Sequence, residues 1–395
     1  IILPGFQYGG MEHTGATLYN DTRMFLSEHP TLDEELARAK LIAHETAHMW
    51  FGDFVTMDWF NDVWTKEVFA NYFAACITEP LFPSVNHSLN WMKTYTSASL
   101  AEDRTLGSNS IRQPLDNLRN AGLIYGNIIY NKAPVMMQKL VEIMGEKVFQ
   151  EGIREYLKTY AYGNATWDDL ITILDNKTEE NLATFSDVWV NQKGMPHITF
   201  TNRCGQLEIS QKDPLHRGLL WPQRFQITFV GTENTSVEVD LSNESFALTV
   251  PMGTQAILPN TDGRGYGLFI PDEESKKWLL EHWQETVDDT SRQALLMLLY
   301  ENYQARLITD HEWLDAIWNG LKTEKNVLIA STLCGYLGEP MRKASNDEKE
   351  QQLWEWTEKH PLASCRLQLL RSLISNARSS DSIERLYRLW EKQTH

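Results

Sequence analysis

Four cysteines in 395 residues, at 76, 204, 334 and 365, include no CxxC pair. Neither a disulfide framework nor a thiolate metal site is indicated, and no compartment is marked. Cations are also scarce: 36 lysines and arginines face 53 acids, for a formal net charge of −17. A phosphate-binding surface needs the opposite balance, so nucleic acid is not an expected partner. No run of about 18 apolar residues occurs, so no segment reads as a membrane span. The opening IILPGFQYGG has neither an initiator Met nor a signal-peptide pattern. It reads as the middle of a strand-rich domain, and the expectation is an upstream domain of the same protein outside this chain.

What is present is an ordinary globular composition, 42% hydrophobic and 23% charged, at a length suited to two or three domains. The expected class is multidomain and mainly α. Residues 1 to about 30 are strand-and-turn in character, with a polar turn at Asn20-Asp21. Helical periodicity then runs to about Lys193, broken at Pro80, Pro83, the polar loop 107–114 and Gly145. One helix should end near Tyr162, and Thr166 is placed to cap the next, with acids in its first turn. After Gly194-Met195-Pro196 the pattern alternates through HITFTN, LEISQK, FQITFVG, SVEVDL and FALTVP, as antiparallel strands do. From Asp272 the chain is helical again, in short pieces that suggest stacked hairpins. The expected domains are 1–196, 197–271 and 272–395.

The stretch HETAHMWFGD at 44–53 places two imidazoles and a carboxylate in a run that otherwise reads as buried helix. Such groups are costly there unless something satisfies them. His44 and His48 are four residues apart, so both project from one face about 6 Å apart along the axis. Two ring nitrogens at that spacing can reach one ion at about 2.0–2.1 Å, while Glu45 points at a water beside it. The plain alternative is a hydrogen-bonded polar cluster in a core. Glu67, in DVWTKEVFANYFAA, is the candidate third ligand. Its helix can fold alongside the first through GDFVTMDWFND, leaving the fourth position open as in a catalytic site.

The whole stretch HETAHMWFGDFVTMDWFNDVWTKEVFANYF resembles the gluzincin aminopeptidases, the family of aminopeptidase N and leukotriene hydrolase. There the HExxH is followed by a glutamate after 18 intervening residues, as Glu67 follows His48 here. GGMEH at 9–13 is similar to the family's GxMEN exopeptidase motif, and IIYNKAPVMMQKLVEIMG to the segment with its catalytic tyrosine, here Tyr130. The resemblance covers residues 1 to about 200.

It implies a thermolysin-like catalytic domain, incomplete at its start, followed by a small β-sandwich and a helical-hairpin array. It implies one zinc ion on His44, His48 and Glu67, with Glu45 as general base and Tyr130 as oxyanion donor. Glu12 would hold the free N-terminal amine of a peptide substrate, with Gly9, Gly10 and Met11 running beside it. Two positions depart from the family: His13 replaces the Asn of GxMEN, and Lys66-Glu67-Val68 replaces Asn-Glu-Gly. A leukotriene hydrolase-like epoxide hydrolase and a non-catalytic peptide-binding scaffold are the competing readings. The order of the β module and helical tail argues against the first, and the intact Glu45, Tyr130 and ligand set against the second. Tyr125 is the rival of Tyr130. Arg112 reads as a solvated loop arginine, Asn127 as a weak candidate, and Trp50, Trp59 and Trp64 as packing. The histidines at 29, 87, 197, 216, 282, 311, 360 and 395 read as structural or surface residues.

Overall fold

The apolar spacing that starts at Leu36 does form a helix, and it organises the first part of the molecule. The computed structural model describes residues 1–392 apart from His29, Thr31, Ile124 and Val287; His29 and His395 lie outside the described residues. The chain is mainly helical, with small sheets and a C-terminal helical array. It divides into two compact units, Ile1–Met195 and Pro196–His395.

The first unit opens with strands β1 (Ile2–Leu3), β2 (Gly10–Met11) and β3 (Leu18–Asn20) in the order β1-β3-β2. β3 runs parallel to β1 and antiparallel to β2, so β2 is an edge strand. The polar Asn20-Asp21 is more than a turn: the Asn20 side chain caps a four-residue helix, α1 (Asp21–Met24). Then come α2 (Leu32–Ala47), β4 (Val55–Met57) and α3 (Trp64–Thr78). α2 begins with three acids, which favour a helix N-terminus. Its inner residues Leu36, Ala43 and Ala47 are buried. The connection to α3 is tied down by β4, which pairs with the strand β5 (Gly163–Ala165). Phe51, just past α2, stacks on Phe69 and Phe73 of α3 at 4.4 and 5.1 Å between ring centroids.

Helices α4 (His87–Trp91), α5 (Ser97–Asp103), α6 (Ala133–Met144), α7 (Glu146–Thr159), α8 (Trp167–Asp175) and α9 (Leu182–Phe185) complete this unit. Gly145 at φ 79° separates α6 from α7, a conformation that costs glycine little. α7 stops three residues short of Tyr162. Thr166 caps α8 in a reciprocal capping box with Asp169. Arg112 is not a solvated loop residue. Its Nε lies 2.7 Å from the buried Asp62 carboxylate, which also accepts from the Trp167 backbone N–H at 3.2 Å. This ion pair ties the polar loop to the approaches of α3 and α8. Trp64 is buried against Trp167 at 4.6 Å, whereas Trp50 and Trp59 are about half exposed.

The second unit begins with two sheets. β6 (His197–Arg203), β7 (Gln206–Lys212), β10 (Ser245–Thr249) and β12 (Leu268–Ile270) form one, in the order β10-β7-β6-β12. β8 (Arg224–Val230), β9 (Thr235–Asp240) and β11 (Ala256–Leu258) form the other, in the order β11-β8-β9. Alternate residues are buried, among them Ile198, Phe200, Leu207 and Ile209 on one sheet and Phe225, Ile227 and Phe229 on the other. Pairing is antiparallel except for β12, which runs parallel to β6. The remainder is helical from Glu273 to Lys392, with most helices capped by Asp, Thr or Asn.

Candidate metal and active site

α2 and α3 face each other across a cleft of about 760 Å³ in the first unit. His44 projects from the last turn of α2. His48 follows in register, its backbone N–H donating to the His44 carbonyl at 3.3 Å. Glu67, in the first turn of α3, comes to meet them. The two Nε2 atoms are 3.1 Å apart, and Glu67 Oε2 lies 3.4 Å from one and 3.6 Å from the other. Ligand atoms bound tetrahedrally at about 2.05 Å stand about 3.3 Å apart, so the triangle has the size of a zinc site.

The protons make the same case. His44 Nδ1 lies 3.0 Å from Asn71 Oδ1, and His48 Nδ1 lies 3.0 Å from the Phe51 carbonyl oxygen. An oxygen acceptor at each Nδ1 makes that nitrogen the N–H donor and leaves Nε2 a lone pair. In that tautomer two ring-nitrogen lone pairs and a carboxylate oxygen converge, a fit for a cation. Asn71 and the Phe51 carbonyl are missing from the sequence reading. Asn71 could have been found one turn beyond Glu67 on the same face. The Phe51 carbonyl is aimed by a backbone bend at Gly52, whose φ of 129° is rare for any other residue.

Glu45 stands beside this triangle, buried, with one carboxylate oxygen lacking any hydrogen-bond partner. An orphaned buried oxygen marks a place for a proton donor that the protein does not supply. Burial chiefly raises its pKa, to about 7; His44 opposes the rise, and the acids Glu12 and Glu67 add to it. Gly10 of β2 packs directly on this carboxylate. A Cβ there would sit 2.5 Å from Glu45 Cδ and 2.7 Å from Cγ. Gly10→Ala is therefore expected to displace Glu45 and, with Glu45 in the general-base role that the resemblance implies, to lower kcat by on the order of 10²-fold, the cost of misplacing a reacting group by about 1 Å. Zinc content and the circular dichroism melt should not change. Wild-type kcat in this variant would show that the close packing has no catalytic consequence.

Glu12 also lines the cleft, its carboxylate within 4.8 Å of donor atoms of Glu45 and His48. It is ion-paired with Lys66, whose Nζ also lies 3.2 Å from Glu67 Oε1. Burial is the largest single effect and would raise the Glu12 pKa, but the charges of Lys66 and His48 and the hydrogen bonds to the carboxylate together hold it below its ordinary value. Lys66, which stands where the family has Asn, thus links the amine-anchor candidate to the metal-ligand candidate. Gly9, Gly10 and Met11 line the cleft along the free edge of β2. His13 is exposed and does not line it.

Tyr130 lines the cleft as well, in the π-helical turn Ile128–Lys132, a form enriched at functional sites. Its ring stacks on Tyr125 at 6.1 Å, so both tyrosines face the cleft. Burial, with Glu67 nearby, pushes the Tyr130 pKa up, so the hydroxyl keeps its proton and remains a donor. The turn is anchored by Lys132, whose Nζ reaches the buried Asp103 carboxylate at 2.7 Å and the Gly194 carbonyl at 2.9 Å. Asn127 reaches Glu102 at 3.4 Å and is exposed. Lys40, one turn before His44, also lines the cleft, and sequence reasoning passed over it.

Residues 1–189 match the Peptidase family M1 domain. Aminopeptidase N of Lactococcus lactis subsp. lactis (strain IL1403) is 30% identical over 296 residues, covering 73% of this chain and 34% of the relative. Aminopeptidase N of Streptomyces lividans is 28% identical over 387 residues, covering 91% and 45%. The puromycin-sensitive aminopeptidase of Caenorhabditis elegans is 31% identical over 204 residues, covering 51% and 22%. The chain thus spans less than half the length of each of these relatives. The first unit of this chain, matched nearly end to end, thus belongs to peptidase family M1, and the likeness to one relative runs through both units.

Proposed function

We propose that this chain carries the catalytic centre of a zinc aminopeptidase, which removes single residues from peptides with a free N-terminal amine. The observation that carries this reading is the convergence of two histidine ring nitrogens and a carboxylate oxygen beside a buried, partnerless carboxylate, in a cleft that Glu12 also lines. His44, His48 and Glu67 would hold one zinc ion, which supplies a Lewis acid and acidifies water to a pKa of about 7. Glu45 takes the proton of the attacking water and delivers it to the leaving amine. Tyr130 donates its hydroxyl proton in a hydrogen bond to the oxyanion that develops on the scissile carbonyl. Asn71 and the Phe51 carbonyl hold the two imidazoles in the tautomer that leaves Nε2 free.

Glu12 receives the substrate ammonium through a charge-assisted hydrogen bond. Lys66 occupies its Oε1 and so fixes which oxygen is left for the substrate. The edge strand β2 offers backbone groups to an extended peptide, with Gly9 and Gly10 permitting close approach. In the finer architecture, the reading is a thermolysin-like catalytic domain over 1–196, a small β-sandwich over 197–271 and a helical array over 272–395.

The test compares aminoacyl amides with their N-acetylated forms on zinc-loaded protein, with and without a chelator. Chelator-sensitive cleavage of the free amines alone is expected, and equal cleavage of both would mean an endopeptidase. Glu12→Ala should raise KM for free-amine substrates by about 10–100-fold, the worth of one charge-assisted bond. Its zinc content should stay at the wild-type level. Zinc lost in parallel would make Glu12 a support of the metal and remove the amine anchor.

A further inference from the structure

The cleft has a polarity set by three registers along α2. Glu12 lies at the His48 end, since Glu12, Glu45 and His48 offer donor atoms all within 4.8 Å of one another. Gly10 packs on Glu45. Gly9 lies over Leu41, its would-be Cβ 3.5 Å from Leu41 Cδ1. β2 therefore follows α2, and stepping back along it from Glu12 to Gly9 leads past the metal site towards Leu41 and Lys40. α3 runs the other way: Glu67 meets both histidines, and Asn71 one turn later meets His44. Ala74, a further turn on, falls at the Lys40 end, where its small side chain leaves space. A peptide with its amine on Glu12 and its scissile carbonyl at the metal site sends its second residue to that end.

Lys40 is the charge waiting there. It lies four residues before His44, so it stands on the same helix face about 6 Å beyond the metal ligands. It lines the cleft and is half-buried. Among the described residues its Nζ has no hydrogen-bond or ion-pair partner, whereas Lys66 at the other end has two carboxylates. Burial lowers the Lys40 pKa. An ammonium partly removed from water and left uncompensated gains most from an incoming anion.

We infer that Lys40 is a specificity-determining residue that binds a carboxylate carried by the second residue of the substrate, just past the scissile bond. The inference rests on the aminopeptidase reading for the direction in which the peptide lies. The carboxylate has two sources, an acidic second side chain or the free C-terminus of a dipeptide, and both present the same anion at this place. The substrate class is therefore peptides with Asp or Glu in second position, or dipeptides.

Two substrate pairs separate these sources. Ala-Glu-amide against Ala-Gln-amide varies the side chain, and Ala-Ala against Ala-Ala-amide varies the chain end. For the zinc-loaded chain, kcat/KM should favour the carboxylate member of at least one pair by about tenfold or more, the worth of one charge-assisted bond. Lys40→Met should collapse that ratio towards one, and Lys40→Arg should keep most of it. The pair whose ratio collapses identifies the source. The same pairs with the peptide bond reduced to CH2–NH, titrated by calorimetry, report the ratio as affinity without turnover. A chain that binds these ligands but cleaves nothing would refute the peptidase activity and still decide the role of Lys40. Ratios equal in wild type and Lys40→Met, in both pairs, would overturn the inference. Absence of binding by every ligand would overturn it together with the amine anchor.

Discussion

Replacing Glu45 with glutamine is expected to lower kcat on free-amine peptides by about 10²–10⁴-fold, with zinc content unchanged. The carboxylate is buried beside the ligand set with one oxygen unpartnered, so it is placed to accept a proton from water and release it again. The amide has the same shape and will fill the space against Gly10, but it offers no basic oxygen. Glu45 stands outside the triangle of His44, His48 and Glu67, so the metal has no reason to leave. Turnover and zinc content measured on one preparation decide the matter. Activity within threefold of wild type would remove Glu45 from the chemistry. Zinc lost in proportion to activity would make it a support for the ligands.

Lys132→Met is expected to destabilise the first unit by about 3–5 kcal/mol, because it strands the Asp103 carboxylate in the interior. Both side chains are fully buried, 2.7 Å apart. For a unit of this size the melting temperature should fall by on the order of 10 °C. The double replacement Lys132→Met/Asp103→Leu should recover most of the loss, since apolar partners need no compensation in a core. A single variant that melts with the wild type would show that the Asp103 charge is satisfied by other means. The pair has a functional side as well. Lys132 ends the π-helical turn that carries Tyr130, and through the Gly194 carbonyl it pins that turn to the end of the unit. Loosening it should therefore also lower kcat in the surviving folded fraction.

The elements that could be read from the chain are those whose signal is local. α2 and α3 announce themselves by apolar spacing, and α8 by a threonine cap followed by acids. β6 to β10 alternate clearly over five to seven residues. Where the local signal thins, the reading fails. β11 and β12 have three residues each, too few to display a period. The helix Asp347–Lys359 buries only Glu350, Leu353 and Trp354 out of 13 residues, too narrow a stripe to stand out. The parallel pairing of β12 with β6 joins segments about 70 residues apart, a choice no local pattern encodes.

The candidate site divides along the same line. His44, Glu45 and His48 lie within one helical turn, and Glu67 follows at a spacing that resembles a known family. By itself, then, the sequence determined the helical pair, the donor types and the family, because these depend on residue identity and on periodicity within a short span. Tertiary structure alone decided that Asn71 and the Phe51 carbonyl set the histidine tautomers, and that Gly10 must lack a side chain so that Glu45 fits. It also decided that Arg112 is tied to Asp62, that Lys66 bridges Glu12 and Glu67, and that Lys40, among the described residues, is left without a partner beyond the metal site. Most are contacts between segments far apart in the chain; the Phe51 carbonyl, three residues from His48, is set instead by the backbone bend that follows α2. Charge, burial and hydrogen bonding at such a place are properties of what the fold brings together, not of any one residue.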